Sequence, residues 1–256
     1  MLFRSKGFFL LPNLFTTASL FAGFYAIVQP MNGYYDHAAI AIMVALIMDG
    51  LDGRVARLTN TQSPFGSEYD SLSDMVSFGV APALVIYVWA LQPLGRLGWV
   101  AAFIYCACAA IRLARFNVNS SAEPSWRDNF FEGIPSPAGG VLVLIPLIYS
   151  LSEIQIFEPN YQIVVPTLFI IVSILLISKI PTYSLKRIAV PRKTTIFLLF
   201  SIILFFGLLF VYTFNTIVIA GLIYLFMIPV SAFHYYSISK NKKIEEDEID
   251  YHEDVL

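Results

Sequence analysis

The chain has 256 residues, 57% of them hydrophobic and only 13% charged, with 22 Phe and 14 Tyr. A mean hydropathy of +0.71 lies outside the range of soluble domains and points to a polytopic membrane protein, with no nucleic-acid partner expected. The net charge of -2 is set by the C-terminal stretch EEDEIDYHED, which holds 7 of the 18 acids; the remainder counts 16 basic against 11 acidic residues.

A transmembrane helix needs roughly 20 mostly apolar residues. Eight such segments follow one another at about 8–28, 36–57, 72–91, 97–116, 137–153, 161–178, 194–213 and 215–236. The first begins behind Arg4 and Lys6 and is long enough to span, with no clean small-x-small cleavage site after it. The fourth carries Cys106 and Cys108, which two-residue spacing puts on different helix faces as free thiols. The expected fold is therefore an all-α membrane helix bundle of about eight transmembrane helices. Residues 1–238 form one integral domain, and 239–256 a charged tail expected to be disordered.

Alternating the segments sorts the cations. One side collects Arg4, Lys6, Arg54, Arg57, Arg112, Arg115, Arg127, Lys179, Lys186, Arg187, Arg192, Lys193, Lys240, Lys242 and Lys243, and only Arg96 falls opposite. The positive-inside rule then places both termini in the cytoplasm. The basic stretch KIPTYSLKRIAVPRK on that side suits anionic headgroups.

Between the second and third segments stands MDGLDGRVARLTNTQSPFGSEYDSLSD. Asp49 and Asp52 are i,i+3, and Asp70 and Asp74 i,i+4, so each pair shares a helix face. The linker TNTQSPFG, with Pro64 and Gly66, breaks the helix and lets the two faces turn toward one gap. Four carboxylates at a membrane boundary repel one another and need a cation to offset them. An all-oxygen donor set without His or Cys selects hard divalent ions, Mg2+ or Mn2+, and four shared carboxylates can hold two of them. Gly53 and Ala56 clear room beside Asp52, and Arg57 is placed to meet a phosphate. An isolated D-x-x-D is more often a capped or solvated helix face; two pairs with G-x-x-A-R between them are not.

Read as D-x2-D-G-x2-A-R-x8-G-x3-D-x3-D, the run from Asp49 to Asp74 resembles the signature of the CDP-alcohol phosphotransferase family at every fixed position. The resemblance implies a membrane enzyme, usually a homodimer, that moves a phosphatidyl or related group from a CDP-linked donor to an alcohol and releases CMP. It further implies that Asp49, Asp52, Asp70 and Asp74 bind two divalent cations, Mg2+ or Mn2+, and that Asp74 is the general base. Gly53, Arg57 and Ser63 would contact the donor, CDP-diacylglycerol. Asn13 and Thr16 resemble the family's P-N-x-x-T element of the first helix, which also faces the nucleotide.

The acceptor has to be read elsewhere. Arg112 and Arg115, i,i+3 at the end of the fourth segment, suit a carboxylate clamp. Gly133, Pro135 and Pro137 suggest a stiff turn into the fifth. Both stretches, AIRLARFNV and NFFEGIPSPAGG, resemble the phosphatidylserine synthase branch of the family. That implies L-serine as acceptor, bound by Arg112, Arg115, Gly133 and Pro135, and a bacterial cytoplasmic membrane as the location. Glycerol 3-phosphate or an inositol phosphate is the nearest alternative acceptor. A prenyltransferase would show two separated Asp-rich motifs. A cation transporter would place its acids near the bilayer midplane, with inverted repeats.

Overall fold

The structure, a computed structural model, describes residues 10–119, 130–153, 155–183 and 192–253. Arg4, Lys6, Arg127, Lys186 and Arg187, which carry part of the charge asymmetry, lie outside the described residues. So does the middle of the basic stretch.

Helices occur at all eight expected segments: α1 (Leu10–Val28), α2 (Tyr35–Leu58), α3 (Pro64–Leu94), α4 (Arg96–Asn119), α5 (Ser136–Ser150), α6 (Tyr161–Ile177), α7 (Arg192–Val211) and α8 (Thr213–Glu253). By length and composition, Leu11–Asn32, Pro64–Leu94, Arg96–Val118 and Thr213–Ile238 are able to cross a membrane, and α5, α6 and Leu199–Val211 are shorter apolar helices.

One feature departs from the expected all-α fold. A short antiparallel pair joins β1 (Phe130–Glu132) to β2 (Pro181–Tyr183) in an otherwise helical fold. Three-residue strands are too short to leave a period-2 pattern. The backbone of α8 is helical from Thr213 through Glu253; Lys and Glu are strong helix formers even without an apolar face.

The core is centred on α5. Leu142, Leu144, Leu147 and Ile148 are fully or almost fully buried, as befits a helix apolar on all sides. Its small residues face neighbours at close range: a Cβ on Gly139 would come within 2.9 Å of Leu176 on α6, and one on Gly140 within 3.3 Å of Phe78 on α3. By contrast the described side chains of α7 are exposed apart from half-buried Leu209, with Phe210 88% exposed. Lipid tails are as apolar as such side chains, so the face is compatible with a bilayer.

Hydroxyl groups lock the helices around the site. Ser19 on α1 donates to the Ala45 carbonyl of α2 at 3.1 Å. Ser73 and Ser77 on α3 donate to the Thr16 and Ser19 carbonyls of α1, each at 3.1 Å. At Gly23 α1 and α3 approach closely, because a Cβ there would lie 2.5 Å from Ser77 Oγ.

Just after Asp74, α3 widens into a π-helical turn over Met75–Val80, a distortion frequent at functional sites. Pro82 follows and has no N–H for the Phe78 carbonyl four residues earlier. Tyr105 on α4 supplies the missing donor at 2.9 Å, and the Cys106 thiol donates to the next carbonyl, Gly79, at 3.5 Å. Both cysteines are free, Cys108 buried and Cys106 half-buried.

Candidate active site

The two carboxylate pairs meet between the end of α2 and the start of α3. The link is shorter than the sequence suggests. Helix α2 ends at Leu58, Asn60 takes a left-handed φ of 52°, and Ser63 already caps α3, accepting from Gly66 N at 3.0 Å. Pro64 is the first residue of the new helix and Gly66 lies in its first turn, so neither breaks a helix here. Asn tolerates the left-handed region better than most residues, which makes Asn60 the pivot.

Across this turn Asp49, Asp70 and Asp74 each offer a carboxylate oxygen, and these oxygens all lie within 4.8 Å of one another. Asp52 stands apart from that triad. It is 5% exposed, and its Oδ2 accepts from Thr16 Oγ1 on α1 at 2.6 Å. Asp70 interacts with both Asp49 and Asp52, which makes it the link between the triad and the fourth carboxylate.

The donor set fits divalent cations. Oδ1 of Asp70 and Oδ1 of Asp74 are shielded from solvent with no hydrogen-bond partner. Among the described residues, no Lys or Arg forms an ion pair with any of the four aspartates. Converging buried carboxylates with orphaned oxygens demand positive charge, and oxygen-only ligands answer to Mg2+ or Mn2+.

Beside the aspartates opens a cavity of about 330 Å³. All five residues expected at the donor, Asn13, Thr16, Gly53, Arg57 and Ser63, line it, together with Asp52 and Asp70. They come from α1, α2 and the start of α3. At Gly53 an added Cβ would meet nothing within 4 Å, so its smallness serves the space in the cavity rather than protein packing. Ser63 uses a lone pair to cap α3, leaving its own proton for another acceptor. The first turn of α3, with its positive dipole end, also borders the cavity through Gly66 and Ser67, a setting that favours phosphate.

Thr61, Gln62 and Ser67 line the cavity as well, and the sequence reading passed over them. Ser67 carried a usable signal, since it stands four residues after Ser63 and three before Asp70. Thr61 and Gln62 belong to an irregular turn, where spacing carries no orientation.

The four residues expected at the acceptor do not converge as a group. Arg112 is 8% exposed, interacts with Asp74 and donates to Ser136 Oγ at 2.8 Å; its guanidinium carbon lies 5.7 Å from the Phe116 ring centre. Arg115 turns away and donates to the Ile177 carbonyl at the end of α6 at 2.8 Å. Gly133 has a φ of +71°, and a Cβ there would press within 2.8 Å of the Ser178 carbonyl. Pro135 is the cap residue of α5. These last three build the junction that carries Ser136 to Arg112.

A family model described as CDP-alcohol phosphatidyltransferase matches residues 9–232. The chain belongs to the CDP-alcohol phosphatidyltransferase family. Among curated relatives it is 36% identical to a CDP-diacylglycerol–serine O-phosphatidyltransferase of Helicobacter pylori, over 79% of this chain and 82% of that protein. It is 38% identical to one of Mycobacterium leprae, over 73% of this chain and 63% of the relative. It is also 38% identical to one of Saccharomyces cerevisiae, over 54% and 53% respectively. The family match covers both the aspartate quartet and the cavity.

Proposed function

We propose that the chain transfers the phosphatidyl group of CDP-diacylglycerol to the hydroxyl of L-serine, giving phosphatidylserine and CMP. The observation that carries this reading is the aspartate cluster opening onto a polar cavity lined by Asn13, Thr16, Gly53, Arg57 and Ser63, in a chain whose relatives are named for that reaction.

Asp49, Asp52, Asp70 and Asp74 would hold two divalent cations, Mg2+ or Mn2+. Bound there, such ions neutralise phosphate charge and polarise the bond to be broken. Arg57 and the Ser63 hydroxyl bind the donor diphosphate, and Gly53 leaves the room for it. Asn13 and Thr16 face the nucleotide, Thr16 also fixing the Asp52 carboxylate. Asp74 takes the proton from the serine hydroxyl. The serine oxygen forms a bond to the phosphorus bearing diacylglycerol, the bond from that phosphorus to the bridging oxygen breaks, and CMP leaves with the electron pair. Arg112 holds the serine carboxylate beside the reacting hydroxyl; Arg115, Gly133 and Pro135 shape that side through the α5–α6 junction.

All eight helices cross the membrane in this reading, with both termini and the site in the cytoplasm. Residues 1–238 are the catalytic domain and 239–256 a charged cytoplasmic extension. The enzyme is a homodimer in a bacterial inner membrane.

The test is CMP release from CDP-diacylglycerol by purified protein in detergent with Mg2+ or Mn2+, comparing L-serine, glycerol 3-phosphate and inositol phosphate. Serine-dependent release is expected. CMP release with glycerol 3-phosphate but not serine would overturn the acceptor, and no release with any alcohol would overturn the reaction.

A further inference from the structure

One buried polar atom near this site is unused by the mechanism above. The Tyr224 hydroxyl, on α8, is shielded from solvent and has no hydrogen-bond partner. It lies beside Thr182 on β2 and in the field of the Arg112 guanidinium. Thr182 approaches the phenol but spends its own proton on the Gly133 carbonyl at 2.6 Å, so it has none to donate to Tyr224. A buried phenol without a partner calls for one, because leaving it unpaired is costly.

The guanidinium between these groups is only partly engaged. It carries five N–H donors, and among the described residues its hydrogen bonds go to Ser136 alone. It interacts electrostatically with both Asp74 and Tyr224. It makes no ion pair with Asp74 within 4.0 Å among the described residues, so the two are set apart. In serine the hydroxyl oxygen and the carboxylate carbon are three bonds apart, roughly 3–4 Å by standard bond lengths. A serine bridging the two groups would set its hydroxyl at Asp74 and its carboxylate at Arg112.

Resting on the serine reading, we propose that Tyr224 is a specificity-determining residue, its hydroxyl donating to the acceptor's carboxylate alongside Arg112, with Ser136 holding the guanidinium in place. The charge count supports a monoanion. Arg115 is committed to the Ile177 carbonyl, so among the described residues the cation that meets Ser136 and Tyr224 is Arg112. One guanidinium and neutral donors match a carboxylate. A phosphate-bearing acceptor, with nearly twice the charge, calls for further cations.

The experiment is steady-state kinetics of Tyr224→Phe in the full-length protein, varying L-serine and CDP-diacylglycerol separately. The lost hydrogen bond to a charged group should raise the serine KM about tenfold. The CDP-diacylglycerol KM and kcat at saturating serine should stay within about twofold. Ser136→Ala, which loosens Arg112 by a different route, should shift the serine KM in the same selective way, and it serves if the tyrosine variant does not fold. An unchanged serine KM, or a donor KM that rises in parallel, overturns the role of Tyr224 while leaving the serine reaction standing. A wild type that releases CMP with glycerol 3-phosphate as readily as with serine overturns the charge match. A wild type inactive with serine overturns the underlying reading itself.

Discussion

Asp74 and Gly53 separate chemistry from space within one site. The Asp74 carboxylate lies in the triad with Asp49 and Asp70 and interacts with Arg112 on its other side, which suits a base that meets the acceptor. Asp74→Asn keeps the shape and removes the basic oxygen. Turnover should fall by about 10²–10⁴, while CDP-diacylglycerol binding, measured by equilibrium titration, stays within a few-fold. Normal turnover would remove Asp74 from the base role. Gly53→Ala should act on binding alone. Replacing a helical Gly stabilises α2 by about 1 kcal/mol, and the new Cβ clashes with nothing in the protein. Thermal stability should therefore hold or rise while the donor KM increases. A variant with unchanged donor KM would show that the cavity is not the donor site.

The helices matter here for how they leave backbone groups satisfied. Helix α3 must turn past Pro82 directly beyond the catalytic face, and Tyr105 on α4 closes the gap with its bond to the Phe78 carbonyl. Tyr105→Phe leaves that buried carbonyl without a donor, so the melting temperature in detergent should drop, by a free energy of about 1–3 kcal/mol. An unchanged melting temperature would mean that the π-helical turn satisfies the carbonyl itself. This level also shows what was legible in the sequence. The aspartates at 49, 52, 70 and 74 could be read because helix spacing alone puts each pair on one face, and the eight apolar runs because length is their signal. Arg115 could not be read: its spacing from Arg112 predicted a shared clamp, but its partner is a main-chain carbonyl 62 residues away. Tyr224 and the β1–β2 pair were hidden for the same reason, since each depends on contacts between distant segments. The bond between Asp52 and Thr16 was hidden too, because it joins helices 36 residues apart in sequence.

At the scale of the molecule, polar chemistry is gathered at one end of an apolar bundle. The cavity proposed for the donor is bounded by α1, α2 and the start of α3, and the side proposed for the acceptor by α4, α5 and α8, so the proposed reaction lies where the two groups of helices meet at Asp70 and Asp74. The proposed topology puts that end in the cytoplasm. A reporter that is active only in the cytoplasm, fused after residue 256, should therefore be active, and one inserted in the α3–α4 turn near Gly95 inactive. The reverse pattern would invert the orientation. The most direct measurement of the central claim is transfer of radiolabelled L-serine into lipid by the purified protein with CDP-diacylglycerol and Mn2+. Label should enter a chloroform-soluble product in step with CMP, and a chelator should stop both. CMP release without label in lipid would contradict the account.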